Sequence, residues 1–299
     1  MKYPYYTCDV FTDTRFGGNQ LAVFPAGASI PEELLQTIAK EFNFSETTFV
    51  YPPNDPKNTN RLRIFTPGGE LPFAGHPTIG TAFVLAAIGA IPIQHETNIL
   101  FEEGVGNVPV KILSQNGAPH FMELSAAQMP EFSAAPSGSD IAKFLSLPEN
   151  DLDETYPIQS VSCGVPFLFV AVKSRGSLKR IRINTELMNQ TLRTSSAKDV
   201  FVFTTDAEQA DFDFRARMFA PLLGIPEDPA TGSAAASFAG YLATLDSVQN
   251  GTLKRKIEQG FEMGRPSLLY IEADKKDGKT TAIRVGGSAV MVCKGEMEI

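Results

Sequence analysis

The chain has 299 residues, 43% hydrophobic and 20% charged, enough apolar material for one large or two ordinary globular domains. Its net charge of -8 argues against nucleic acid and anionic membranes as partners, since both call for basic patches. The uncharged apolar runs are rich in Gly, Pro and Ser and fall short of the ~20 apolar residues of a membrane span. The stretch from Met1 to Asp9 lacks the apolar core of a signal peptide. Three scattered cysteines, Cys8, Cys163 and Cys293, fit a reducing cytoplasm without a disulfide framework. His76, His95 and His120 stand too far apart for metal-ligand spacing, and neither a GxxxxGK[ST] nor a GxGxxG phosphate loop occurs.

Tyr5 to Val10 and Leu21 to Phe24 read as short strands joined by a turn marked by Gly17-Gly18. Pro31 to Phe42 has helical spacing, with Leu34, Leu35, Ile38, Ala39 and Phe42 on one face and Ser29 as its cap. A Pro/Asn/Asp loop from Pro52 to Asn60 precedes the alternating strand Arg61 to Phe65. An uncharged helix is predicted from Pro77 to about Ala90, then a strand meander from Ile99 to Leu124. Ala126 to Pro157 mixes Pro, Ser and Asp with a short helix near Asp140 to Leu145, and is the expected interdomain connection. The pattern then restarts. Gln159 to Val172 is a strand pair, Asn184 to Thr191 a helix, and Val200 to Thr204 and Phe214 to Phe219 are strands. A second uncharged helix, Pro229 to Leu245, is followed by closing strands at Leu268 to Ala273, Thr281 to Val285 and Ser288 to Cys293.

The two uncharged helices organise the chain. A helix that is apolar all round must be buried on every side. Pro229 suits a first helical position, and Asp228 stands where an N-cap belongs. The start of such a helix offers unpaired N–H groups and a partial positive charge to an anion. Both helices sit in a repeat. Arg63-Ile-Phe-Thr-Pro67 answers Arg217-Met-Phe-Ala-Pro221 at an offset of 154, and Pro77-Thr-Ile-Gly-Thr-Ala82 answers Pro229-Ala-Thr-Gly-Ser-Ala234 at 152. Two similar α+β halves are therefore expected, each a sheet curled around one apolar helix, with both helix starts facing a shared cleft. On the residues alone Asp228 reads either as a cap or as a pocket group. His76 reads as a polar residue near a helix start or a catalyst, and Glu46 as a solvated carboxylate or an acid/base.

Seven motifs occur in order: Asp9-Val-Phe-Thr, Gly18-Asn-Gln-Leu-Ala-Val-Phe24, Phe44-Ser-Glu-Thr-Thr-Phe-Val50, Arg63-Ile-Phe-Thr-Pro67, Glu70-Leu-Pro-Phe-Ala-Gly-His-Pro77, Glu227-Asp-Pro-Ala-Thr-Gly-Ser-Ala234 and Gly264-Arg-Pro-Ser267. Over its whole length the chain thereby resembles the PhzF-like family, the isomerases of phenazine biosynthesis, which share the diaminopimelate epimerase fold. The resemblance implies an α+β fold of two pseudo-symmetric domains, each a curled, mostly antiparallel sheet around a central apolar helix. The expected domains are residues 1–125 with about 286–299, and residues 126–285. It implies Glu46 as the catalytic acid/base, with His76 and Asp228 lining the same pocket. The backbone amides of Gly232 and Ser233 would bind the substrate carboxylate, with Gly75 close by and Asn19 also on the substrate.

The implied activity is cofactor-independent. A proton moves between carbons of a small cyclic carboxylate, as in the family prototype acting on trans-2,3-dihydro-3-hydroxyanthranilate. A cytoplasmic homodimer goes with it. Gln20, where relatives often carry proline, and Gly68-Gly69 depart from the pattern beside the cleft and bear on substrate identity. The related epimerases place one cysteine at each helix start; here neither start has one, which disfavours two-thiol racemisation. The alternatives are a ligand-binding protein on the same fold without turnover, and a two-base epimerase working through Cys163 or Cys8.

Overall fold

Strands wrap one uncharged helix in each of two units of the chain. The computed structural model describes all 299 residues, Met1–Ile299. The units are Met1–Ala127 with Val285–Ile299, and Gln128–Arg284.

The first unit begins with β1 (Lys2–Val10), β2 (Asn19–Phe24), α1 (Leu35–Phe42), β3 (Glu46–Tyr51), β4 (Asn60–Thr66), β5 (Gly69–Leu71) and α2 (Gly75–Ala87). It continues with β6 (Glu96–Glu103), β7 (Gly106–Gln115) and β8 (Ala118–Ser125). β2 runs parallel to β3, β3 antiparallel to β4, β4 antiparallel to β5 and parallel to β6, and β6 to β8 form an antiparallel meander. Alternation along the strands splits the core. Phe24, Phe49 and Phe65 pack toward α1 with Leu35, Ile38 and Ala39. On the other side lies α2, every residue of which from Gly75 to Ala86 is buried. It packs on β1, β2, β7 and β8. Gly80 makes that approach possible: a Cβ there would stand 2.6 Å from Leu21 Cδ2 and 2.7 Å from Val10 Cγ2.

The second unit holds β9 (Glu131–Ser133), α3 (Gly138–Leu145), β10 (Gln159–Ser162), β11 (Pro166–Ala171), α4 (Arg175–Arg180), α5 (Thr185–Leu192) and β12 (Asp199–Thr204). It continues through β13 (Phe214–Ala220), β14 (Ile225–Asp228), α6 (Gly232–Leu245), β15 (Gly251–Gln259), β16 (Ser267–Lys276) and β17 (Lys279–Gly287), and β18 (Ala289–Glu298) then returns to pair with β1. The succession of pairings is that of the first unit: β11 parallel to β12, β12 antiparallel to β13, β13 antiparallel to β14 and parallel to β15. Both faces of these strands are covered, which accounts for the unbroken apolar run Val200-Phe-Val-Phe203. Leu168, Val170, Val200 and Val202 face α3 and α5. Phe169 stacks on Phe238 and Tyr241 of α6, and Phe201 and Phe203 meet the same helix at tilted or edge-on angles, ring centroids 4.6 to 6.1 Å apart. Burying each such side chain contributes about 2–3 kcal/mol.

Three local expectations are corrected. The helix after Asp228 starts at Gly232 with Thr231 as N-cap, so Asp228 ends β14 and does not cap. The first helix begins at Leu35 after a short 3-10 turn, with no side-chain cap, and Ser29 Oγ donates instead to the carbonyl of Ala26. β15 lies where no strand was expected, because Lys254-Arg-Lys256 masks its alternation. Arg215 and Arg217 on β13 are buried along with their apolar neighbours, since each is paired: Arg215 with Glu258 and Glu262, Arg217 bidentately with Glu227.

Candidate active site

In the first unit the starts of β2, β3 and α2 meet. Glu46 opens β3 and lies opposite Leu21 in the parallel register with β2. Asn19 opens β2, after Gly18 at φ +60, where a Cβ would meet the Val10 carbonyl at 2.3 Å. Gly75 and His76 are the first residues of α2, whose N-cap, Ala74, offers no capping side chain. The expected residues Glu46, His76, Asn19 and Gly75 are thus brought together. His76 Nε2 is 3.2 Å from Glu46 Oε2, and Asn19 Nδ2 is 3.2 Å from His76 Nδ1. The imidazole is thus approached at both nitrogens, by Asn19 at Nδ1 and by the Glu46 carboxyl at Nε2. That Nε2 contact is close but lacks the alignment of a hydrogen bond.

Electrostatics define the pair. Glu46 is 8% and His76 3% exposed. Burial pushes the His76 imidazole down to about 3, against the backbone carbonyl of Gln20, which favours the charged ring. The imidazole is therefore neutral at ordinary pH, and its contact with Glu46 is not an ion pair. A buried carboxyl beside a neutral ring can exchange protons without opening a salt bridge first.

The second unit carries the other expected residues, Asp228, Gly232 and Ser233. Asp228 Oδ2 accepts from Thr231 Oγ1 at 2.5 Å, and Gln259 Nε2 donates to the Asp228 carbonyl at 2.9 Å and to Thr231 Oγ1 at 3.1 Å. Gln259 Oε1 accepts the Thr231 N–H at 3.3 Å. These bonds tie Asp228 to Thr231, which is extended, and the helix starts only after it. Gly232 and Ser233 then begin α6, where no side chain caps the first-turn N–H groups. Gly260 is required beside this segment: at φ +76, a Cβ would stand 2.5 Å from the carbonyls of Arg265 and Pro229.

Sequence reasoning missed Gln259, Thr231 and Asp199. Asp199 opens β12 opposite Phe167, the register position that Glu46 holds opposite Leu21 in the first unit. Its carboxyl is buried, and it is pushed up to about 6, first by that burial and then by the charge of Asp228. The repeat offsets of 154 and 152 carry Glu46 to Val200 and Lys198, on either side of Asp199, so only the strand register makes the match. The thiols serve no such chemistry. Cys8 and Cys163 contact the carbonyls of Gly80 and Ala236, away from the helix starts. Burial raises both thiols, Cys163 to about 12, so neither forms the thiolate that a two-base epimerase needs.

Comparison with known proteins places the whole chain in one family. The sequence pattern of the family described as phenazine biosynthesis-like protein, PhzC-PhzF, matches residues 8–295. An uncharacterized isomerase of Mesorhizobium japonicum is 37% identical over 303 residues, covering 99% of this chain and 98% of that protein. The trans-2,3-dihydro-3-hydroxyanthranilate isomerase of Pseudomonas fluorescens is 33% identical over 297 residues, with 98% of each covered. The crystal structure of the Bacillus anthracis phenazine biosynthesis protein of the PhzF family superposes with a TM-score of 0.92 at 26% identity, covering 100% of both chains. With the motifs, the strand pairings and the relatives in agreement, the chain belongs to the phenazine biosynthesis-like PhzC-PhzF family and is an isomerase.

Proposed function

We propose that the chain is a cofactor-independent isomerase that moves a proton between carbons of a small cyclic carboxylate, with Glu46 as acid and base. The observation that carries this reading is the buried Glu46–His76 contact of 3.2 Å with the imidazole held neutral. The Glu46 carboxylate takes a proton from an activated C–H, and the electron pair left behind delocalises through the conjugated ring. The same carboxyl then returns the proton to another carbon, so substrate and product have the same formula and nothing is oxidised or reduced. His76 and Asn19 hold the carboxyl's environment, and a neutral ring keeps Glu46 from being locked in an ion pair.

The uncapped N–H groups of Gly232 and Ser233 are the anion-binding element of this reading, and Asp228 is a pocket residue. The relatives named for trans-2,3-dihydro-3-hydroxyanthranilate, 33% identical across the chain, make that compound the first substrate to test. We further propose that the two units are copies of one epimerase-like architecture, supported by their matching strand pairings.

The test follows the compound by NMR with catalytic amounts of protein. Conversion to a double-bond isomer of unchanged mass is the expected result. Tight binding of this compound or a related cyclic amino or hydroxy acid, with no turnover across the series, would replace the enzyme with a binding protein.

A further inference from the structure

One carboxyl in the interior around α2 has no part in the chemistry proposed above. Glu103, the last residue of β6, is buried, and its Oε1 lies 2.6 Å from Thr78 Oγ1. The same hydroxyl lies 2.7 Å from the carbonyl oxygen of Ala74. A threonine hydroxyl has one proton, and a carbonyl only accepts. Were Glu103 ionised, one of these two contacts would set oxygen against oxygen with no proton between them. Both are hydrogen bonds when Glu103 carries a proton and donates to Thr78, which then donates to Ala74. Glu103 Oε2 is buried with no hydrogen-bond partner. A charged oxygen in that position is far costlier than a neutral carbonyl.

The second unit supplies the comparison. Arg61 pairs with Glu102 across the parallel β4 and β6, and Arg215 pairs with Glu258 across the parallel β13 and β15. The next residue is Glu103 in one unit and Gln259 in the other. Gln259 ties down the residues leading into α6 through Asp228 and Thr231, as Glu103 and Thr78 tie the turn that opens α2. An amide stays neutral at every pH. A protonated carboxyl is its nearest equivalent in shape and in donor and acceptor groups.

We propose that protonated Glu103 is a positioning residue: the chain Glu103 to Thr78 to Ala74 fixes the first turn of α2, and with it His76 beside Glu46, and ionisation of Glu103 breaks that chain. The functional part of this inference rests on the proposed roles of Glu46 and His76. Burial raises the Glu103 carboxyl to about 8, the Thr78 hydroxyl works the other way, and no charged side chain contributes. On α2 the single titratable group is His76, held neutral. Glu102, next along β6, is taken up by the N–H groups of Asn54 and Asp55 and the amide of Asn58. Arg61 on β4 lies over the Tyr51 ring, 4.8 Å from its centroid, and β7 opposite offers Gly106 and Asn107, both uncharged. Charge appearing on Glu103 therefore meets no opposite charge, only the Thr78 hydroxyl.

The experiment is carboxyl 13C NMR of glutamate-labelled protein from about pH 6 to about pH 9.5, with imidazole 15N shifts of His76 followed in parallel. Wild type, Glu103→Gln and Thr78→Val are compared. One glutamate carboxyl is expected to titrate near pH 8 in wild type and to be missing from Glu103→Gln. The His76 shifts are expected to move with the same midpoint in wild type and to stay at their low-pH values in Glu103→Gln. Substrate proton exchange by wild type should fall about fivefold or more from neutral to the alkaline end, and Glu103→Gln should hold its rate within about twofold. If no glutamate titrates above about pH 6, or if His76 is unmoved while Glu103 ionises, the proposal is overturned. The wild-type titration decides this even if a variant does not fold. Coupled Glu103 and His76 titrations in a protein that exchanges no substrate would uphold the positioning role and remove the isomerase reading.

Discussion

Replacing Gly80 by alanine sets two opposing effects against each other inside α2. Alanine in a helix interior is favoured over glycine by about 1 kcal/mol. Against this, the new methyl would stand 2.6 Å from Leu21 Cδ2, 2.7 Å from Val10 Cγ2 and 3.3 Å from Cys8 Sγ. Comfortable carbon contacts lie at about 3.5–4.0 Å, so two methyl groups on two different strands are overlapped by about 1 Å. Leu21 and Val10 are fully buried and have no open space to retreat into. Overpacking of this kind costs about 1–3 kcal/mol, and two simultaneous clashes put this site in the upper half of that range. The net expectation is a loss of about 1–2 kcal/mol, or about 3–6 °C in the melting temperature of a domain of this size. Thermal unfolding followed by circular dichroism reads it. Because Gly80 lies one turn beyond His76 and Leu21 pairs with Glu46, the 3.2 Å contact should widen and activity should fall further than stability alone explains. A melting temperature equal to or above that of wild type would show that helix propensity wins and that α2 is not packed as tightly as argued.

Two further outcomes follow from the buried titratable groups. His76 is held down near 3, while an unfolded imidazole titrates near 6.5, so the unfolded chain takes up a proton that the folded chain refuses. Stability is complete above pH 6.5 and falls as the pH drops toward 3, by up to ~1.4 kcal/mol per unit from this group. Urea unfolding of wild type and His76→Gln should show the variant with the shallower acid slope, and equal slopes would contradict a buried neutral His76. Among the cysteines, the buried, raised thiols of Cys8 and Cys163 should resist iodoacetamide in the folded protein while exposed Cys293 reacts. Peptide mapping after alkylation checks this, and rapid native labelling of Cys163 with loss of activity would revive a thiol mechanism.

The parts of the fold visible in the sequence are those with a local signature. The uncharged composition of α2 and α6 announced two helices buried on every side, and the paired motifs around Arg63 and Arg217 announced matching strand arrangements. Where partners lie far apart in sequence, the pattern was silent. Asp228 looked like a cap because it precedes a proline and an apolar run. The bonds that keep it in β14 come from Gln259 on β15, 31 residues away. β15 itself was hidden by Lys254-Arg-Lys256, whose charges sit on a strand that pairs fully with β16. Glu103 and Asp199 look like ordinary acidic residues until their burial is known. Glu46 came from the family motif. Nothing in the residue pattern around it distinguishes a proton carrier from a strand-edge carboxylate, and its burial 3.2 Å from a neutral histidine is visible only in the structure.

The central claim is that Glu46 carries the proton. It is tested most directly by following trans-2,3-dihydro-3-hydroxyanthranilate in heavy water by proton NMR, with wild type and Glu46→Gln side by side. An amide keeps the shape of the carboxyl and cannot take up the proton, so wild type is expected to isomerise the compound, with deuterium entering the substrate carbons as the proton on Glu46 exchanges with solvent before its return. Glu46→Gln should be slower by about 10²–10⁴-fold while melting at a similar temperature. Exchange by Glu46→Gln as fast as wild type would contradict the assignment.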